Sequence, residues 1–183
     1  FGEVQFTGQS LSGIVIFNLS HTAGEMLQDG ESVSLCLDLV PDINEADLYM
    51  HFRKFRTNNP ERSLQACLNG FVHEKLATYI LEQCRWKQER ISELNDVELQ
   101  KLADQIKKLT FHVTATAGAE DAQVSRGGAD TRFIDPETMK LTVQEHVYVI
   151  GELLDTDGIC GGYNLMWAVI TGMKAGFSIY DSN

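Results

Sequence analysis

Positive charge is what this sequence has least of. Fifteen Lys and Arg stand against 26 Asp and Glu, a formal net charge of −11 at pH 7. A chain that grips phosphate backbones normally carries a basic face, so no nucleic-acid partner is expected. Acidity of this size mainly keeps molecules apart in solution. Apolar runs are also short: none approaches the roughly 18–20 residues that span a bilayer. No signal segment stands at the start. The expectation is therefore no membrane partner and a cytoplasmic location.

The four cysteines, at 36, 67, 84 and 160, form no C-x-x-C pair, and the five histidines are scattered. Disulfide frameworks and zinc sites show closer, patterned spacing, so reduced core or half-buried thiols and no metal are expected. Two nucleotide fingerprints are missing. G-x-G-x-x-G occurs nowhere. "GQSLSGIV" has the glycine spacing of a phosphate loop but puts Ile14 and Val15 where Lys and Ser/Thr belong. Asp155-x-Asp157-Gly158 starts like a calcium loop. Ile159, Cys160 and Met166 then fall where an oxygen ligand, a glycine and a glutamate are needed.

Hydrophobic residues make up 43% of the chain, so a core is expected. "GEVQFTG" alternates like a strand. Ile14, Val15, Phe17, Leu19, Ala23 and Leu27 fit a helix capped by Ser10 or Ser12, although Ile14–Val15–Ile16 also suits a strand. "SVSLCLDLVPD" alternates as a strand ended by Pro41. Residues 45–109 carry a helical cluster. It includes a helix after Asn59-Pro60 that ends before Gly70 and one opened by the capping-box pair Asn95 and Glu98, with Leu99, Leu102, Ile106 and Leu109 on one face. "LTFHVTATAG" and the buried-looking "HVYVIGEL" are strands, separated by a turn-rich stretch. The composition shifts near residues 110–120. A final helix runs from about Asn164 to Ala175.

Before that helix stands "GELLDTDGICGGYNL", dense in glycine. Glycine loses conformational entropy on folding, so such a cluster implies a close backbone approach. Two readings remain open. The helix amino terminus, with its free N–H groups and positive dipole end, faces a flat electron-accepting ring; or the loop is a tight turn that caps a packed helix.

The segment resembles the signature G-E-x-L-D-x-D-G-x-x-G-G-Y-N-L-x-W-A of the HI0933-like (YhiN, aminoacetone oxidase) flavoproteins, NAD(P)/FAD-dependent oxidoreductases of bacteria and archaea. Gly151, Glu152, Leu154, Asp155, Asp157, Gly158, Gly161, Gly162, Tyr163, Asn164, Leu165, Trp167 and Ala168 stand in register. "AQVSRGGADTRFIDPETMKL" is similar to the A-x-V-T-x-G-G-V…P-x-T-M stretch, with Ser125 for Thr and Ala129 for Val. "FTGQSLSGI" and "LNGFVHEKLA" match two further segments, the first with Ser10 where glycine is usual.

The resemblance implies an α+β fold. Residues 1–117 would be a partial β-barrel-like insert with a helical subdomain. Residues 118–183 would be the returning strand–loop–helix segment of an FAD-binding Rossmann-like domain. The N-terminal half of that domain, which carries the pyrophosphate-gripping fingerprint, is absent. A first residue of Phe rather than Met agrees with a truncated piece, inactive alone, whose partner is the missing half. The implied cofactor is FAD. Its contacts would come from Gly127, Gly128, Gly151, Glu152, Gly161, Gly162, Tyr163, Asn164 and Leu165. Glu152 would lie near the ribityl or pyrophosphate region, and Gly127 and Gly128 near the isoalloxazine. Asp155 and Asp157 are expected to hold the loop, Trp167 to be core and Cys160 to be inert. The implied activity is flavin-dependent oxidation or reduction, NAD(P)-linked or amine- or aminoketone-oxidising. No residue stands out as substrate acid or base, so catalytic residues and the small-molecule substrate are unassigned. The rival expectation is a non-enzymatic α+β binding or scaffold module.

Overall fold

The computed structural model describes residues 2–181; Phe1, Ser182 and Asn183 lie outside the described residues. The chain divides into two compact units, Glu31–Thr114 and the pair of segments Phe1–Gly30 and Ala115–Asn183. Among the described residues the fold is α+β, with six α-helices and two two-stranded sheets. No closed barrel is present among them; neither short sheet has further strands to close on.

In the unit Glu31–Thr114, β3 (Val33–Leu37) pairs antiparallel with β4 (Leu109–Val113), from Val33 opposite Val113 to Leu37 opposite Leu109. Between them run α2 (Glu45–Asn58), α3 (Leu64–Leu68), α4 (Glu74–Cys84) and α5 (Asp96–Lys107). Each helix starts at a side-chain cap. Asn44 accepts from Asp47 N–H, Ser63 from Ala66 N–H and His73 from Lys75 N–H. Asn95 and Glu98 form the expected capping box. Leu99, Leu102, Ala103 and Ile106 make the buried stripe of α5 at helical spacing. In the same unit Leu48, Phe52, Leu68, Ile80 and Ile91 are fully buried as well. Burying each such side chain contributes about 1.5–3 kcal/mol.

Two expectations shift here. Asn59 does not open a helix; it is the C-cap of α2, and α3 waits for the Ser63 hydroxyl. Leu109 leaves the α5 face to begin β4, where Leu37 pairs with it.

In the other unit, β1 (Gln5–Phe6) and β2 (Leu11–Ser12) form a short hairpin. The ambiguous stretch after it is helical, α1 (Ile14–Gln28), capped by Gly13 without a side-chain bond rather than by Ser10 or Ser12. The last helix, α6 (Tyr163–Asp181), runs well past Ala175. "HVYVIGEL" is not a strand. Its first half pairs briefly with residues 139–141, through the bridge Lys140–Tyr148 and the bonds Leu141 N–H to Val147 O and Val149 N–H to Met139 O, and Leu153 O accepts from Ala129 N–H. A strand needs a partner paired along its length, and here the antiparallel pairing covers only residues 147–149. A small cluster of Ile134, Met139, Leu154 and Ala175, with Trp167 against it, forms the local core.

The two units bury apolar surface very unequally. Among the described residues, sixteen of the twenty buried hydrophobic side chains lie in Glu31–Thr114. Of the twenty exposed large ones, all but Met50 and Val97 lie in the other unit. Four buried residues are too few to hold that unit's remaining length on hydrophobic burial alone.

Candidate functional site

The glycine segment is fixed from three sides. On the first, residues 128–130 run beside 153–155. Ala129 N–H donates to Leu153 O at 2.7 Å, Asp155 N–H donates to Ala129 O at 3.0 Å, and Ala129 bridges Leu154 in parallel. Gly128 makes this possible. It has φ of +150°, and a Cβ there would stand 2.5 Å from Leu153 O. Its close approach is thus to the chain's own backbone. Glu152 acts on the same junction, its carboxylate accepting from Ser125 N–H.

On the second side, Gly151 sits over α6. Its N–H donates to Thr171 Oγ1 at 2.9 Å, and the Thr171 hydroxyl in turn donates to Trp167 O at 2.7 Å. Thr171 is the one buried polar side chain among the described residues, and this bond satisfies it. On the third side, the Asn164 side chain closes the loop on itself. Its Oδ1 accepts from Gly158 N–H at 2.7 Å and its Nδ2 donates to Gly158 O at 3.0 Å.

What is left open is the start of α6. Gly161 and Gly162 have φ of +135° and +90°, and nothing lies within 4 Å of a Cβ built at Gly162. The N–H groups of Tyr163, Asn164 and Leu165 have no intrahelical acceptor, as at any helix amino terminus. The positive end of the α6 dipole is there too. Gly127, with φ of +90°, likewise has nothing within 4 Å of its Cβ position. The nine expected contact residues therefore fall into two groups. Gly128, Gly151, Glu152 and the Asn164 side chain bond within the chain. Gly127 and Gly162 have nothing within 4 Å of their Cβ positions, Gly161 has the Tyr163 ring at 3.6 Å, and residues 163–165 open the helix.

Beside Gly127 lies an open cleft of about 530 Å³, lined by His21, Glu25, Arg126, Gly127, Asp155, Thr156 and Asp157. Arg126 Nε donates to Asp157 Oδ1 at 2.7 Å. That hydrogen bond holds the Arg126 guanidinium above its ordinary value, and it ties Asp157 to a side chain rather than to the loop backbone. His21 Nε2 stands 2.9 Å from Glu25 Oε1 on α1. Asn18, one turn earlier, accepts from Cys160 N–H at 2.8 Å. Asn18, His21, Glu25 and Arg126 were not singled out in the sequence. The signal that could have found them is the polar row at 18, 21 and 25 on an otherwise apolar helix, one helical face at that spacing.

Elsewhere the chemistry is quiet. The four cysteines are free, and burial pushes the Cys67 thiol up to about 12. No group of three metal-binding side chains occurs among the described residues, and no helix among them is long and apolar enough to cross a membrane.

The chain matches known proteins along nearly its whole length. Residues 1–124 match the HI0933-like protein barrel and H2TH domain, and residues 87–178 the HI0933-like protein Rossmann domain. It is 33% identical over 176 residues to a 3-dehydro-bile acid delta(4,6)-reductase of Clostridium scindens, covering 96% of this chain and 43% of that protein. It is 30% identical over 179 residues to a ribosomal RNA dihydrouridine synthase of Haemophilus influenzae, covering 98% of this chain and 42% of that one. A protein of the same name from Escherichia coli is 29% identical over 163 residues, covering 89% and 38%. The chain thus spans about two fifths of the length of these curated relatives.

Proposed function

The chain belongs to the HI0933-like family, and from that premise we propose that it is the flavin-facing portion of an FAD-dependent oxidoreductase. Residues 1–117 correspond to the later part of the insert and 118–183 to the segment that returns to the Rossmann domain. The partner is that domain's N-terminal half, supplied by the same protein, and the 183-residue chain alone is inactive. The observation that carries this reading is the uncovered apolar face of α6. Leu165, Val169, Tyr180, Met173, Met166 and Phe177 follow one another around one side of the helix, all exposed. Apolar surface of that extent is normally covered by a partner.

The residues present fit a flavin. Gly127, Gly161 and Gly162 let backbone come close, and the free N–H groups of Tyr163, Asn164 and Leu165 can hold negative charge on the pyrimidine edge. Gly128, Gly151 and Glu152 support the loop from behind. When bound, the flavin supplies the two-electron chemistry, and the protein supplies binding, orientation and electrostatics. The relatives' names favour the direction of that chemistry. A delta(4,6)-reductase of a 3-dehydro compound and a dihydrouridine synthase both concern reduction of a double bond conjugated with a carbonyl. For this chain we take over that reaction type, with NAD(P)H as electron source, in preference to amine or aminoketone oxidation. The substrate is a small molecule. Eleven acidic charges in excess oppose a polyanion.

The test is the full-length product of the gene. It should purify yellow, with one FAD per chain bleached by NAD(P)H and restored by a conjugated enone. A colourless product, or an upstream reading frame without G-x-G-x-x-G, would end this reading. The scaffold alternative draws on the Asn164–Gly158 closure, which serves a helix cap equally well.

A further inference from the structure

His21 takes no part in closing the glycine segment, yet it lines the same cleft. Asn18, which does help, accepts from Cys160 N–H and so fixes which face of α1 meets the loop. His21 and Glu25 follow at three and seven residues, on that face. The imidazole has two unlike sides. Nε2 is buried and 2.9 Å from Glu25 Oε1, without a hydrogen bond aligned along it. Nδ1 makes no hydrogen bond to another described residue, and the His21 side chain lines the cleft. The other charged groups there are Arg126, held by Asp157, and Asp155. A histidine with a carboxylate close to one nitrogen and no hydrogen bond on the other has the ingredients of an acid–base group.

We propose that His21, paired with Glu25, is the proton-transfer residue for a conjugated carbonyl substrate seated in this cleft; this rests on the reductase reading above. Once a hydride has reached the β-carbon from the reduced flavin, the double-bond pair moves onto the carbonyl as an enolate. The enolate pair then forms the bond from the α-carbon to the proton on Nδ1. The imidazolium is left as neutral imidazole and takes its next proton from water in the open cleft.

The test uses the full-length protein, its flavin reduced anaerobically, with 2-cyclohexen-1-one as oxidant. Wild type should reoxidise with the enone. His21→Ala should slow that single turnover by roughly 10²–10⁴-fold with flavin content unchanged. Added imidazole should restore part of the rate, which loss of a merely structural side chain would not permit. Glu25→Gln, which keeps the histidine, should give a smaller loss. A second readout needs no turnover. In the oxidised protein 4-chlorophenol, a stable mimic of the enolate, should shift the His21 side-chain ¹⁵N resonances and bind His21→Ala roughly 10-fold or more weakly. Reoxidation of His21→Ala at the wild-type rate overturns the proposal, as do unmoved His21 resonances. So does loss of flavin from the variant, which would make His21 a cofactor-holding residue. A wild type that holds flavin but ignores both the enone and the phenol overturns the reductase reading itself.

Discussion

Gly162 separates the two meanings of the glycine segment. Its φ of +90° is a conformation that a β-branched residue rarely adopts, and the space around its Cβ position is empty. Gly162→Val therefore strains the backbone without a clash inside the chain, at a cost of about 1–3 kcal/mol. If the open space is the flavin's, that cost falls on binding, roughly a 5- to 150-fold loss of FAD affinity in the full-length protein. If the loop only caps α6, the cost falls on folding instead. Thermal unfolding of the apoprotein, run beside an FAD titration, reads both. Gly128 gives a contrast that could not be seen in the sequence. Gly127 and Gly128 are neighbours in one "RGG" triplet, yet a Cβ at Gly127 would meet nothing within 4 Å, whereas one at Gly128 would clash with the carbonyl oxygen of Leu153, 25 positions on. Spacing reveals that backbone comes close to something; only the fold says to what. The cysteines were more legible, because their isolation along the chain already argued against pairing. With its thiol pushed up to about 12 by burial, Cys67 should stay unmodified by Ellman's reagent at pH 8, while exposed Cys36 reacts at once. Rapid modification of Cys67 in the folded protein would contradict its burial.

At the scale of elements, the helices with chemical punctuation were legible and those without it were less so. Asn95 and Glu98 announced α5 because both halves of the capping box are side chains. The start of α1 at Gly13 has no such side chain, so the serines nearby misled. "HVYVIGEL" has the composition of a strand but is paired only over residues 147–149, and the extent of pairing is a property of the fold rather than of the segment. The α6 helix shows the same limit from the other side. Its apolar residues suggest burial all round, whereas the face centred on Val169 and Met173 is open. Val169→Glu measures what that face is for. In the 183-residue chain the change should leave the far-ultraviolet circular dichroism and melting temperature nearly unmoved, since the side chain is 60% exposed. In the full-length protein it should lower stability by about 2 kcal/mol or more, because a carboxylate would then be buried without a partner. Equal stability of the two full-length proteins would mean that nothing covers α6.

At the scale of the whole molecule, the unequal burial sets what should survive proteolysis. Limited digestion of the 183-residue chain should cut first between about residues 118 and 146, where turns and isolated bridges replace helices, and should spare Glu31–Thr114. Early cuts within α4 or α5 would contradict this. The same chain should be colourless, having no pyrophosphate-gripping fingerprint of its own.

The β3–β4 pair has one more effect, which concerns chain connectivity. Val33 lies opposite Val113, so the two ends of the helical unit leave it side by side. Bringing together two points roughly 80 residues apart in an open chain costs about 4 kcal/mol of loop-closure entropy by the (3/2)RT ln n relation. Once the helical unit has folded, that cost is already met, and the segments before Gly30 and after Ala115 are joined by what amounts to a short tether. The split unit can then behave as a nearly continuous chain. A tight turn replacing residues 33–113 should leave its β1–β2 hairpin and its Gly151–Thr171 contact able to form.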